Sequence, residues 1–520
     1  MLSRIGRLPW HPIVLAIVVV VTLWLDSAIS PYAVARSLGV AILLAALLTF
    51  GFSLLLRSSV RGGLAASAAI GLLWSKQLIG LVAMAPGRMG AFVIVWIFLV
   101  GAALFLAFRL FRRLAPRLSV DGVASVLNRG SVLLLVVAVV LGIVRGHLAS
   151  FVADLDQGRG LDSLAAMPAD TTDGPDIYAI LLDGYPRADV LDYAFDIDNS
   201  AFLAELGDRG FEVAPASHSD YLWTHVSVPS ALNLAYTEQI PSMREVIDGR
   251  LPQQPTIRMS MADNRAFQLA DERGYATVAV GSGFEHVAAR GADVYLDGGE
   301  LNEFEISLLA STFAGDVVGA IAPTLASGQQ ADRIRYNLRV LPEIARSADR
   351  APVLVFAHIP APHQPTVFDA DGDPLPVPLT GKFFGDSPAE RGENSDEFLS
   401  RYRAQLPYLN GLVLEAVDGI LAASNEPPVI VLFADHGSAS VIDWNAADPS
   451  EVDPARLMER TGAFFAALTP DREDVFPDDI SPVDIFRLLF DAYWGTDFGR
   501  AVPPPGGGQI APLDASVLNR

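Results

Sequence analysis

Charge divides this 520-residue chain at one place, and the division sets what each part can fold into. Residues 1–150 carry 13 Lys and Arg against 2 Asp and Glu, a net of +11; residues 151–520 carry 24 against 57, a net of −33. The basic part contains five apolar stretches, 12–28, 33–56, 64–84, 91–108 and 131–144. Each approaches the roughly twenty residues a helix needs to cross a bilayer. Basic residues gather in alternate connections: Arg4 and Arg7 before the first stretch, Arg57 and Arg61 between the second and third, and Arg109, Arg112, Arg113, Arg117 and Arg129 between the fourth and fifth. The other side has Arg36, Arg88 and Arg145. Because Lys and Arg are retained on the cytoplasmic side, the N-terminus is expected inside and everything beyond about residue 146 outside. The chain then reads as a multi-pass plasma (inner) membrane protein with an extracytoplasmic C-terminal part. If the first stretch is instead a cleaved signal peptide, that orientation does not change. Lys76, inside the third stretch, is either a functional intramembrane charge or a snorkelling side chain.

So acidic an outer part is repelled by nucleic acid and by an anionic bilayer surface, which excludes both as surface-bound partners. The absence of cysteine removes disulfides, thiolate metal sites and cysteine nucleophiles.

Residues 151–175, rich in Asp, Gly, Pro and Thr, read as a linker. Beyond it, β-type runs at 177–182, 276–280, 353–357, 429–434 and 464–468 alternate with helix-like segments at 201–209, 332–345, 395–422 and 482–493. That alternation predicts an α/β domain over 176–500, a mainly parallel sheet covered by helices on both faces. The tail 501–520, with three Pro and three Gly in succession, is expected to be disordered.

Three of the apolar runs stop at residues able to do chemistry. The first ends in Asp183-Gly184, the third in His358 with His363 five residues on, and the fourth in Asp435-His436-Gly437. In an open α/β sheet, groups at the carboxyl ends of strands converge although distant in sequence. Thr224, opening a helix-like segment, adds a hydroxyl where a helix N-terminus favours negative charge. Asp183, Thr224, Asp435 and His436 make a hard O/N set suited to one divalent metal, Mn²⁺, Zn²⁺ or Mg²⁺, in a site for breaking phosphate esters. Blander readings stand beside these: Asp183-Gly184 as a turn and Thr224 as a helix cap, while His358 is either a substrate-binding member of the site or a buried hydrogen-bonded residue. Arg187 is either a phosphate partner or half of a salt bridge, and His225 either binds substrate or faces solvent. The loop Asp369-Ala-Asp-Gly-Asp373 begins like a calcium loop, but its twelfth position is Thr380, so it reads as a polar turn.

The motifs Leu181-Leu-Asp-Gly-Tyr185, Thr224-His-Val-Ser-Val-Pro-Ser230, His358-Ile-Pro-Ala-Pro-His-Gln-Pro365 and Phe433-Ala-Asp-His-Gly437 together resemble the sulfatase-like branch of the alkaline phosphatase superfamily. The pattern is similar to its membrane-anchored phosphoethanolamine transferases and lipoteichoic acid synthases. The resemblance implies an alkaline-phosphatase-like domain in which Asp183, Asp435 and His436 bind the metal. Thr224 is then both ligand and nucleophile, and His363 contacts the substrate or leaving group. It further implies a phosphoryl-linked head group, of phosphoethanolamine or phosphoglycerol type, taken from a lipid donor to an envelope glycan or lipid acceptor. The alternatives are a phosphodiesterase or sulfatase-type hydrolase of the same fold, or a non-catalytic receptor or scaffold. Two departures matter. Ile359 stands where two-metal members have an Asp four residues before His363, and no His follows His436, so one metal is expected. Ser227-Val-Pro-Ser-Ala231 lacks the Arg of the sulfatase maturation motif, which favours Thr224 over Ser227 as nucleophile.

Overall fold

The computed structural model describes residues 9–25, 29, 31–75, 119–144, 161, 164, 174–247, 253–299, 301–347, 351–379, 383–385, 387–444, 447–505 and 509–518. The chain forms two compact units. One comprises Met1–Leu148, Phe304–Ile321 and Leu379–Gly381; the other comprises Ala149–Glu303, Ala322–Pro378 and Lys382–Arg520.

In the first unit, helices His11–Leu25, Pro31–Leu55, Ser59–Leu73 and Val120–Val144 are apolar nearly all round. Small residues such as Ala16, Ala41, Ala45 and Ala66 face inward, while Leu43, Leu47, Phe50, Leu133 and Val140 are exposed. That arrangement inverts a soluble protein and fits helices whose surroundings are lipid, where close approach of small residues drives packing. Among the described residues, three helices are long and apolar enough to cross a membrane, or four if the bent pair Glu303–Ala310 and Phe313–Ile321 is one span; five were expected. The first and third expected stretches contain described helices of only 15 residues. The fourth stretch, 91–108, and Lys76 lie outside the described residues.

One of the three long helices, Ser395–Ala423, belongs to the second unit. Phe398, Tyr402, Leu406, Leu409, Val413, Val417 and Ile420 form its buried stripe at helical spacing, and Asp396, Glu397 and Asp418 lie elsewhere on it. A two-faced helix of this kind covers a sheet rather than spanning a bilayer.

The second unit is built on seven strands: β1 (Ile177–Leu182), β2 (Glu212–Val213), β3 (Ala276–Val280), β4 (Val294–Leu296), β5 (Val353–Ile359), β6 (Val429–Phe433) and β7 (Phe465–Leu468). Their order is β2-β7-β6-β1-β5-β3-β4. The pairs β6-β1, β1-β5, β5-β3 and β3-β4 are parallel; β6-β7 and β7-β2 are antiparallel. The five runs expected from sequence are all strands, whereas β2 and β4 are too short to show a period. Alternation decides which face each side chain meets. Tyr178, Ile180 and Leu182 enter one apolar cluster with helices Leu325–Ala345 and Ser395–Ala423; Ile177, Ala179 and Leu181 enter another with Thr224–Leu232 and Pro482–Trp494. Beyond the last helix, the Ala501 N–H donates to Asp484 and the Ile510 N–H to the Asp220 carbonyl, so residues of the C-terminal segment are hydrogen-bonded to the α/β unit.

This order sets the site. Strand β1 lies between β6 and β5 with all three parallel, so their carboxyl ends open side by side. Asp183, His358 and Asp435 therefore become neighbours although up to 252 positions separate them.

Candidate metal and phosphoryl-transfer site

Asp183 and Asp435 are fully buried just beyond β1 and β6. Gly184 turns the chain after β1 with φ +69° and donates its N–H to Asp435 Oδ1 at 3.3 Å. Asp183 Oδ2 receives His358 Nε2 at 2.8 Å from the adjacent strand. The second oxygen of each carboxylate, Asp183 Oδ1 and Asp435 Oδ2, is buried without a hydrogen-bond partner. His436 Nε2 lies 3.7 Å from the first and 3.4 Å from the second. Two unpaired carboxylate oxygens in a dry interior are costly unless a cation meets them.

The imidazoles are oriented for the same purpose. His436 Nδ1 donates to the Gly437 carbonyl at 2.8 Å, and His363 Nδ1 to the Gln364 carbonyl at 2.6 Å. In the neutral rings that fixes the proton on Nδ1 and the lone pair on Nε2, an arrangement from which Nε2 can bind a metal or take up a proton. Ligand atoms of Asp183, His363 and His436 lie within 4.8 Å of one another, a buried Asp/His/His group with the make-up of a metal site. Burial opposes ionisation of Asp183, but His363, the His358 hydrogen bond and His436 together hold its carboxyl below the ordinary range. At Asp435, burial and then the like charge of Asp183 push the carboxyl up. A divalent cation relieves both effects, so the donor set fits the expected metal.

Thr224 begins helix Thr224–Leu232 and puts Oγ1 3.0 Å from His436 Nε2. Trp223 occupies the cap position, so Thr224 is not the helix cap. Its loop is held from behind by Ser227 and by two residues, Ser219 and Arg460, that no sequence signal had marked. Ser219 and Ser227 both donate to the Asp435 carbonyl, at 2.5 and 2.8 Å. Arg460, almost wholly buried, donates to the carbonyls of Leu222 at 2.7 Å and Gly437 at 3.4 Å. Ser227 is thereby committed to a backbone carbonyl in the interior.

Asp183, Thr224, His358, His363, Asp435 and His436 thus come together. His358 supports Asp183 from within β5 and does not line the cavity. Arg187 is turned away from them: it makes a two-pronged pair with Asp189 at 2.7 Å and donates to the Ser217 carbonyl. A cavity of about 170 Å³ opens over Thr224 and His363, walled by Trp223, His225, Phe284 and Glu303. Burial, and then the charge of Glu285, push the Glu303 carboxyl up to about 7.

No protein-family model and no curated protein matches the chain. It is similar to solved structures of low sequence identity. One is the integral membrane lipooligosaccharide phosphoethanolamine transferase A of Neisseria meningitidis, at 13% identity over 88% of this chain and 85% of that one, with a TM-score of 0.41. Another is the C-terminal periplasmic domain of EptC from Escherichia coli in complex with Zn, at 14% identity over 66% and 90%, with a TM-score of 0.39. A 2-O GAG sulfatase matches at 15% identity over 64% and 72%, with a TM-score of 0.35. Phosphoethanolamine transferases and sulfatases, enzymes of both kinds, are therefore among the solved structures this chain is similar to.

Proposed function

We propose that the chain is a metal-dependent transferase, anchored in the inner membrane with its α/β unit on the extracytoplasmic side. It moves a phosphoryl-linked head group from a lipid donor to an envelope glycan or lipid acceptor through a covalent intermediate on Thr224. The observation that carries this reading is the meeting of Thr224 Oγ1, His436 Nε2 and two unpaired carboxylate oxygens beneath one cavity.

Asp183, Asp435, His436 and Thr224 would hold a single divalent ion, Mn²⁺, Zn²⁺ or Mg²⁺. When bound, the ion lowers the pKa of the Thr224 hydroxyl and neutralises charge on the transferring oxygens. Thr224 releases its hydroxyl proton to solvent and, as alkoxide, attacks phosphorus; the P–O bond to the lipid alcohol breaks as the P–O bond to threonine forms. The acceptor oxygen then bonds phosphorus as the P–O bond to threonine breaks. His363, hydrogen-bonded through Nδ1, has Nε2 with which to protonate the departing alkoxide in its imidazolium form, and to take the proton back from the incoming acceptor hydroxyl. The helix N-terminus at Thr224 and the low-dielectric surroundings favour the added negative charge. His225 would bind substrate, a reading supported by its position in the cavity wall. The lipid donor follows from the motif resemblance and from helices apolar enough for a membrane.

A head-group-labelled phospholipid supplied to membranes carrying the chain tests the reading. Label accumulating on a glycan or lipid acceptor is expected. Label released quantitatively to water makes the chain a phosphodiesterase, and no metal-dependent turnover of phosphate or sulfate esters returns it to the receptor or scaffold class.

A further inference from the structure

The chain leaves the α/β unit after Glu303 and returns to it at Ala322; the segment between belongs to the apolar unit. It consists of helices Glu303–Ala310 and Phe313–Ile321, bent by 102°. Phe304 and Leu308 join the apolar cluster of Trp24, Ile29, Ala33, Leu73 and Trp74, and Glu305 pairs with Arg36. By the charge distribution, Arg36 marks the outer side of the second apolar stretch, so the segment sits at the outer ends of these helices.

The second helix has nine residues, about 13 Å, too short for a hydrocarbon core of about 30 Å. Phe313, Val317 and Ile321 recur every fourth residue along it and are 43%, 60% and 78% exposed. An exposed apolar stripe on a helix whose preceding neighbour, Glu303–Ala310, packs through Phe304 and Leu308 among membrane-type helices calls for lipid rather than water. The bend is built for such surroundings. Ser311 and Thr312 donate their N–H groups to the Ser307 and Leu309 carbonyls, and their hydroxyls to those of Leu308 and Leu309. The Gly315 N–H is taken up by Thr312. A Cβ on Gly315 would come within 2.2 Å of the Leu309 carbonyl oxygen, so the close turn needs glycine there. A break in which the N–H groups of Ser311, Thr312 and Gly315 are taken up locally suits a bilayer interface.

We propose that Phe304–Ile321 is a second membrane attachment: a re-entrant helix pair that dips into the outer leaflet and places Phe313, Val317 and Ile321 in lipid. The inference rests on the membrane reading of the first unit, and its test separates the two. Because the chain has no cysteine, a single one can be introduced and labelled with an environment-sensitive fluorophore in the full chain reconstituted into phospholipid vesicles. Val317→Cys is the probe and Leu47→Cys, exposed on helix Pro31–Leu55, is the membrane reference. The expected result is that nitroxide-bearing lipid removes most of the emission from both sites and aqueous iodide from neither. Iodide quenching at Val317 with lipid quenching at Leu47 overturns the attachment and leaves the membrane reading intact. A Val317 label reached by neither quencher means that protein covers the stripe, which also overturns it. Iodide quenching at Leu47 overturns both.

Discussion

His358 Nε2 donates to Asp183 Oδ2 at 2.8 Å across two adjacent parallel strands, leaving Asp183 Oδ1 as the oxygen that faces the centre of the site. The imidazole acts on the site through the carboxylate it orients. A buried carboxylate needs such a partner both to stay ionised and to present one lone pair.

His358→Ala is accordingly expected to weaken metal affinity about 10- to 100-fold. His358→Gln, which keeps an N–H for the carboxylate, recovers part of the loss. Titration with chelator-buffered metal reads both; equal affinity in wild type and His358→Ala would mean that Asp183 needs no orienting partner.

Thr224→Ala is expected to lower turnover by at least about 10³-fold while the protein keeps its fold and still binds metal through Asp183, Asp435 and His436. Ser227→Ala removes one hydrogen bond to the Asp435 carbonyl, which still receives Ser219; it should cost about 1 kcal/mol and leave turnover in place. Rate measurements paired with thermal unfolding check this, and the reverse pattern moves the nucleophile to Ser227.

Gly437 has no room for a side chain, since a Cβ would stand 2.2 Å from the Glu459 carbonyl oxygen. Gly437→Ala must displace Asp435-His436 or the helix Pro454–Thr461 beneath it. The expected loss is about 1–3 kcal/mol of stability together with most of the metal, read by unfolding and elemental analysis. A variant with full metal occupancy would contradict the assignment of His436.

Asp220 is buried ahead of Thr224, and burial, with the like charge of Asp484, pushes its carboxyl up to about 6. Its folded pKa lies above its unfolded value, so the native state holds the extra proton. Stability from this group is therefore complete below about pH 4 and is lost as pH rises through about 6. The loss is on the order of 3 kcal/mol, at about 1.4 kcal/mol for each pH unit between the unfolded and folded values. Asp220→Asn should raise Tm at pH 7.5 relative to wild type and leave the difference near zero at pH 4. An unchanged difference across that range would mean Asp220 is ionised in the native state.

The parts of this protein that sequence made legible are those with a period or a stop. The runs ending at Asp183, His358 and Asp435 are fully buried strands bounded by turn residues, and a parallel sheet brings their ends together. Thr224 was visible because it opens a helix. Arg187 was ambiguous, since an arginine near a strand end serves a phosphate or a neighbour equally well; the pair with Asp189 at i+2 absorbs it. Ser219, Arg460 and Glu459 act by hydrogen bonds to backbone carbonyls or by close packing, interactions that leave no mark in composition or spacing. The excursion Phe304–Ile321 was missed because its two helices, each short and separated by a turn, show no stretch of membrane length.

The covalent step is the centre of the account, and tandem mass spectrometry of the full chain after incubation with a membrane lipid extract tests it most directly. The expected result is a metal-dependent mass increase equal to a phosphoryl-linked head group, located on Thr224 and absent from Thr224→Ala. An adduct on another residue, or turnover of the lipid with Thr224 never modified, would contradict it.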